Sequence, residues 1–129
     1  MNVNLEEKFV NDFINASHRD RLLFELKTQK KRLKALMRFS QDIDKLVKAG
    51  SIISKSKTFD EKELKKFLKC REFYVISLKY LDGIMMNINE ILCHIYDEHL
   101  PVIICGEDVA VIKKEFEKGE DNFFFLKNK

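Results

Sequence analysis

Tryptophan is absent from this sequence, and its 129 residues include one proline and four glycines. So few chain breakers exclude a collagen-like or low-complexity chain, and a hydrophobic content of 45% excludes a disordered one. Cysteine is scarce too: Cys70, Cys93 and Cys105 are odd in number, widely spaced and without a CxxC pair. That pattern argues against a disulfide framework and for reduced thiols in a reducing compartment. Aliphatic runs are short, as in Val102-Ile103-Ile104-Cys105, whereas a membrane span takes about 20 apolar residues. The first residues, Met1-Asn2-Val3-Asn4-Leu5-Glu6-Glu7, carry no basic region ahead of an apolar stretch, so no secretory leader is expected. The last five, Phe125-Leu126-Lys127-Asn128-Lys129, contain no lipidation box. The expectation is a soluble, cytoplasmic protein. Heavy use of Lys, Ile, Asn and Phe is compatible with an AT-rich bacterial genome. A glycine-rich phosphate loop, a nucleophile elbow and an HExxH helix are also lacking. These absences weigh against an enzyme, although a catalytic group assembled only by folding leaves no such trace.

What is present is enough apolar material for one core. A chain of this length buries roughly two-thirds of its unfolded surface, without help from metal or disulfides. Eleven Phe and three Tyr supply the aromatic bulk. Charge is unevenly shared. Residues 1–71 hold eighteen basic and ten acidic side chains, while residues 72–129 hold six and eleven. A basic first half on an acidic second half points to one face suited to a polyanion or an acidic partner.

The hydrophobic period changes at the same place as the charge. Leu5, Phe9 and Phe13 recur every four residues after a cap-like Asn4-Leu5-Glu6-Glu7, and a second start reads at Ser17-His18-Arg19-Asp20. The helical pattern continues through Leu33, Leu36, Met37, Ile43, Leu46 and Val47 and stops at Gly50. Whether residues 18–49 form one helix or two is open at this level. Residues 50–58 read as a loop, and Thr58-Phe59-Asp60-Glu61 as a capping box for a short helix. From Phe73 the period shortens. Strands are expected at 73–78, 102–105, 109–112 and 123–126, with a turn at Asp82-Gly83 and a helix over 84–99. No repeat appears at periods of 20 to 50 residues. These elements predict a single α+β domain over 1–129. Its helical half (4–71) packs on a β-α-β-β-β mixed sheet with one crossover helix (73–127).

The sharpest candidate site appears when residues 27–48 are placed on one helix. Lys27, Lys30, Lys31, Lys34, Arg38, Lys45 and Lys48 then fall in a stripe about 100° wide, roughly 30 Å long. Gln41 alone interrupts it, with Asp42 and Asp44 at its flanks. Such a stripe is a solvated face, a phosphate-binding face or a contact for an acidic protein. No aromatic side chain lines it, so base stacking is not supported. Arg32 lies on the apolar edge of the same wheel. It either meets a carboxylate from elsewhere in the fold or lines a pocket that grips a carboxylate or phosphate.

Cys93, His94, His99 and Cys105 invite a metal reading, but on a helix His94 and His99 diverge by about 140° and cannot converge on one ion. His99 reads as a helix-end histidine. No metal and no cofactor are expected. Glu107-Asp108 and Glu117, Glu120 and Asp121 sit where turn chemistry explains them. Phe123 and Phe125 share one face of a strand, with Phe124 and Leu126 on the other.

The leading expectation is a small non-enzymatic binding protein (an inhibitor, immunity-like protein or adaptor) that contacts an acidic partner through the basic face, as a monomer or homodimer. A sequence-indifferent nucleic-acid binder using the same residues is the second. An enzyme with a cleft between helices and sheet is the third.

Overall fold

The computed structural model describes residues 2–58, 60–69, 72–78, 81–95 and 100–128. Three helices come first: α1 (Val3–Phe13), α2 (Ala16–Lys27) and α3 (Arg32–Leu46). Then follow β1 (Ile52–Ser56), α4 (Glu61–Phe67), β2 (Phe73–Ile76), β3 (Ile84–Met86) and α5 (Ile88–Ile95). Three more strands close the described chain: β4 (Val102–Cys105), β5 (Val109–Lys113) and β6 (Phe123–Lys127). The α+β architecture is as the periodicity implies. The sheet is not mixed, however. Its order is β1-β6-β5-β4-β2-β3 and all five pairings are antiparallel.

The two unforeseen strands explain that difference. Residues 84–86 form β3 by turning back on β2 at Gly83, whose φ of 75° suits a residue without Cβ. The helix expected over 84–99 therefore begins later. Asn87 and Glu90 form a reciprocal capping box, each side chain accepting from the other's backbone N–H at 2.9 and 3.2 Å, which fixes the start of α5 at Ile88. With β3 on its outer edge, β2 offers its other edge to β4 in antiparallel register, Tyr74 opposite Cys105. Residues 52–56, read from sequence as loop, pair with β6. Lys and Ser carry no helical or strand period of their own, and only the neighbouring Phe-rich strand makes them β.

The four central strands are buried on both faces and alternate between two cores. Tyr74, Ile76, Ile103, Ala110, Ile112, Phe124 and Leu126 pack under α1, α2 and α3. Phe73, Val75, Val102, Ile104, Val111, Phe123 and Phe125 pack on the other side against Leu64, Leu68, Ile91 and Ile95. This two-sided burial is why the strands read as unbroken apolar runs.

Two caps also sit elsewhere than expected. The α1 cap is Asn2, whose side chain accepts from Leu5 N at 3.1 Å, rather than Asn4. That leaves Glu6 inside the helix on its buried face. The α4 cap is Asp60 rather than Thr58, accepting from the backbones of Lys62 and Glu63. The α3 helix ends at Leu46, before Gly50, because Asn15 takes over its last carbonyls. Asn15 Nδ2 donates to Lys45 O at 2.7 Å, and Ile14 bridges Val47. The histidine expected at a helix end, His99, lies outside the described residues, as does Cys70.

Candidate functional site

Residues 27–48 do not form one helix, and the reason is local. Thr28 is extended, its hydroxyl donates to Phe24 O at 3.0 Å, and residues 29–31 follow as a 3-10 turn. A second break comes at Asp42, whose φ/ψ of −136°/35° is not helical. The seven cations are thereby divided. Lys27 pairs with Glu7 at 2.9 Å, and Lys31 Nζ sits 4.6 Å from the centroid of the Phe24 ring. Arg38 is held by Glu25 through two bonds of 2.8 and 3.0 Å. Lys48 donates to Asn11 O at 3.2 Å. Lys30 and Lys34 are exposed at the α2–α3 corner, and no carboxylate of the described residues lies within 4.0 Å of either. Phe24 and Leu33, 57% and 50% exposed, belong to the same corner. Lys45 is carried past the Asp42 break to a different place.

Arg32 turns inward. Nη1 and Nη2 donate to Glu6 at 2.7 and 3.0 Å, Nε and Nη2 donate to Asp82 at 2.9 and 2.6 Å, and Nη1 also donates to Leu26 O at 2.6 Å. All five guanidinium hydrogens are thus used inside the protein, and none remains to grip a ligand. The pocket-lining alternative for Arg32 is set aside on that geometry. Tyr74 completes the cluster by donating to Glu6 Oε2 at 2.6 Å, and it accepts from Asn2 N at 2.8 Å. Asp82 is positioned by the turn at Gly83 and by the backbone N–H of Ser77, which donates to it at 3.0 Å. Five parts of the fold meet here: α1, α2, α3, β2 and the β2–β3 turn.

The electrostatics of this cluster are those of a staple. Burial pulls the Arg32 pKa down, but its bonds to Glu6 and Asp82 outweigh that and hold it above the ordinary range. Burial, then the bond to Glu6, pushes the Tyr74 phenol above its usual value. Burial raises the Cys105 thiol likewise. Glu25 is held below its usual value by its bond to Arg38. Each shift keeps its group in the protonation state it already has at neutral pH.

Lys45 reaches a groove of about 470 Å³ between the end of α3, β1 and the β5–β6 connection. Lys55, Lys57 and Lys114 join it there around Phe124, with Asp42, Asp44, Glu120 and Asp121 interspersed. Lys55 and Lys114 lie 5.4 and 5.8 Å from the Phe124 ring centroid. Lys55 is 3.5 Å from Asp44 and Lys114 is 3.9 Å from Glu120. Asn122, buried, shapes this end. Its Nδ2 faces the carbonyls of Lys57, Glu117 and Glu120 at 3.0 Å, its Oδ1 accepts from Glu117 N at 2.9 Å, and its N–H donates to Ser56 O at 2.9 Å. Sequence reading missed Lys55, Lys57, Lys114 and Asn122. The one available signal was the acid-free Ser-Lys-Ser-Lys stretch at 54–57.

Cys93 and His94 lie on α5, Cys93 exposed and His94 partly buried. Among the described residues, no three His, Cys, Asp or Glu side chains come together as a metal-binding group. No described helix is long and apolar enough to cross a membrane. Comparison of the chain with protein-family models, curated proteins and solved structures found no match.

Proposed function

We propose that this is a non-enzymatic binding protein of the bacterial cytoplasm that contacts an acidic protein partner through the α2–α3 corner. The observation that carries the reading is the corner's composition. Lys27, Lys30, Lys31 and Lys34 share the corner with the exposed Phe24 and Leu33, Glu25 is turned inward onto Arg38, and Glu7 meets Lys27. Protein interfaces are built this way, with a large apolar side chain anchoring the contact and charges around it that steer and select. Lys45 and Lys48 stand apart from this corner and belong to the rest of the basic surface.

The test is capture of partners by the tagged protein from bacterial lysate, with and without nuclease, alongside Lys30→Glu/Lys34→Glu and Phe24→Ser/Leu33→Ser. A discrete protein that survives nuclease and is lost with either double variant is the expected result. Nucleic acid that co-purifies, is released in about 0.5 M salt and ignores Phe24→Ser/Leu33→Ser would instead make the lysines a phosphate-binding surface. Retention of the same partner by both double variants would remove the corner from function.

A further inference from the structure

Strand β1 stands at the end of the sheet and, among the described residues, is bonded on one side only, to β6. A groove opens beside each of its faces. On the α3 side is the 470 Å³ groove, where Lys45, Lys55, Lys57 and Lys114 lie among Asp42, Asp44, Glu120 and Asp121. On the α4 side is one of about 250 Å³, lined by Ser54, Glu63, Lys66, Phe67 and Phe125, with the Phe67 and Phe125 rings edge to face at 5.2 Å. An edge strand flanked by side-chain grooves on both faces has the form of a site for strand addition. There the backbone supplies affinity, and alternate side chains fall into the two grooves.

The occupant's chemistry follows from the charges on the edge segment itself. Residues 52–58 carry Lys55 and Lys57 and no carboxylate, and a strand laid beside them is favoured where it sets Asp or Glu across from those lysines. Asp44 engages Lys55 only at 3.5 Å, and no carboxylate of the described residues is within 4.0 Å of Lys57 or Lys45. On the other face Phe67 and Phe125 take an apolar side chain. A second copy of the chain is a poor occupant. Self-pairing of β1 sets lysine near lysine, and the register shift between Ile52 and Ser54 disturbs the long pairing a symmetric edge needs.

We infer that β1 accepts, as an added strand, an extended peptide segment of another protein in which acidic and apolar residues alternate. This surface is separate from the α2–α3 corner and stands without it. The probe is a capped ten-residue peptide of alternating glutamate and valine, compared with a lysine–valine peptide of equal length. Amide hydrogen exchange locates the contact, and fluorescence anisotropy measures its affinity. The glutamate peptide is expected to slow exchange at residues 53–56 and to bind about tenfold more tightly than the lysine peptide. Lys55→Glu/Lys57→Glu is expected to reverse that preference, while Lys30→Glu/Lys34→Glu leaves it unchanged. No slowing at residues 53–56 with either peptide overturns the site. Slowing with equal affinity for both overturns the acidic chemistry. Protection of β1 in a peptide-free dimer, read by sedimentation, would assign the edge to a second copy.

Discussion

Arg32 and Glu6, 26 residues apart in sequence, face each other fork to fork across the α1–α3 contact, with N–O distances of 2.7 and 3.0 Å. Both side chains are less than 5% exposed, and Asp82, Leu26 O and Tyr74 saturate what that pair leaves over. A buried guanidinium can be satisfied only where several elements already meet. The pair therefore reports the assembled tertiary structure rather than any one helix.

Truncating that guanidinium is expected to be among the most damaging single changes in the protein. Arg32→Met leaves the Glu6 carboxylate enclosed with Tyr74 alone to stabilise its charge, a loss of about 3–5 kcal/mol. Arg32→Lys restores the charge but not the planar fork, and is expected to recover only part of it. Urea unfolding of both variants and of Arg32→Met/Glu6→Gln checks this. The double variant, with no carboxylate left unpaired at position 6, is expected to lose less than the sum of its parts.

The Glu25–Arg38 bond gives a pH dependence of known sign. Glu25 has a lower pKa folded than its ordinary carboxylate value. Its contribution is therefore fully present above that ordinary value and is lost as pH falls through the depressed folded one. In Arg38→Gln, the stability curve between about pH 5 and pH 2 is expected to be flatter than in the parent. Thermal unfolding across that range measures it, and an unchanged acid limb would show that the bond carries no net stability.

Asn122 ties the end of β1 to the connection before β6. Asn122→Ala strands the carbonyls of Lys57, Glu117 and Glu120, for an expected loss of about 1–3 kcal/mol. Hydrogen exchange is expected to speed up first at Ser56 and Glu117, well before the core strands β4 and β5 respond. Uniform acceleration across the sheet would mean that the residue supports global stability and not this one junction.

Much of the architecture was legible because burial period and chain punctuation are local. The apolar runs at 102–105, 109–112 and 123–126 became strands, the run at 73–78 became one over Phe73–Ile76, and Asp82-Gly83 became a turn. The alternation of Phe123 and Phe125 against Phe124 and Leu126 is the alternation between two cores. Arg32's position on an apolar edge announced a buried charge, though not its partners.

The misses share one cause. Residues 52–56 and 84–86 are strands because of what they pair with, and hydrogen bonding to a distant strand leaves no period in a short polar or mixed segment. The basic stripe was a helical-wheel inference that held only for a continuous helix. Thr28 and Asp42 interrupt it, and the cations parted into an α2–α3 corner and a groove beside β1.

The sequence by itself determined the class of most elements, the approximate places where they change and the excess of cations in the first half, since these depend on composition and on neighbours along the chain. Only the tertiary structure decided which strands pair, which lysines remain without a carboxylate, and that Arg32 is spent internally on Glu6 and Asp82. Those outcomes depend on side chains brought within about 3 Å across tens of residues, a distance that no local pattern encodes.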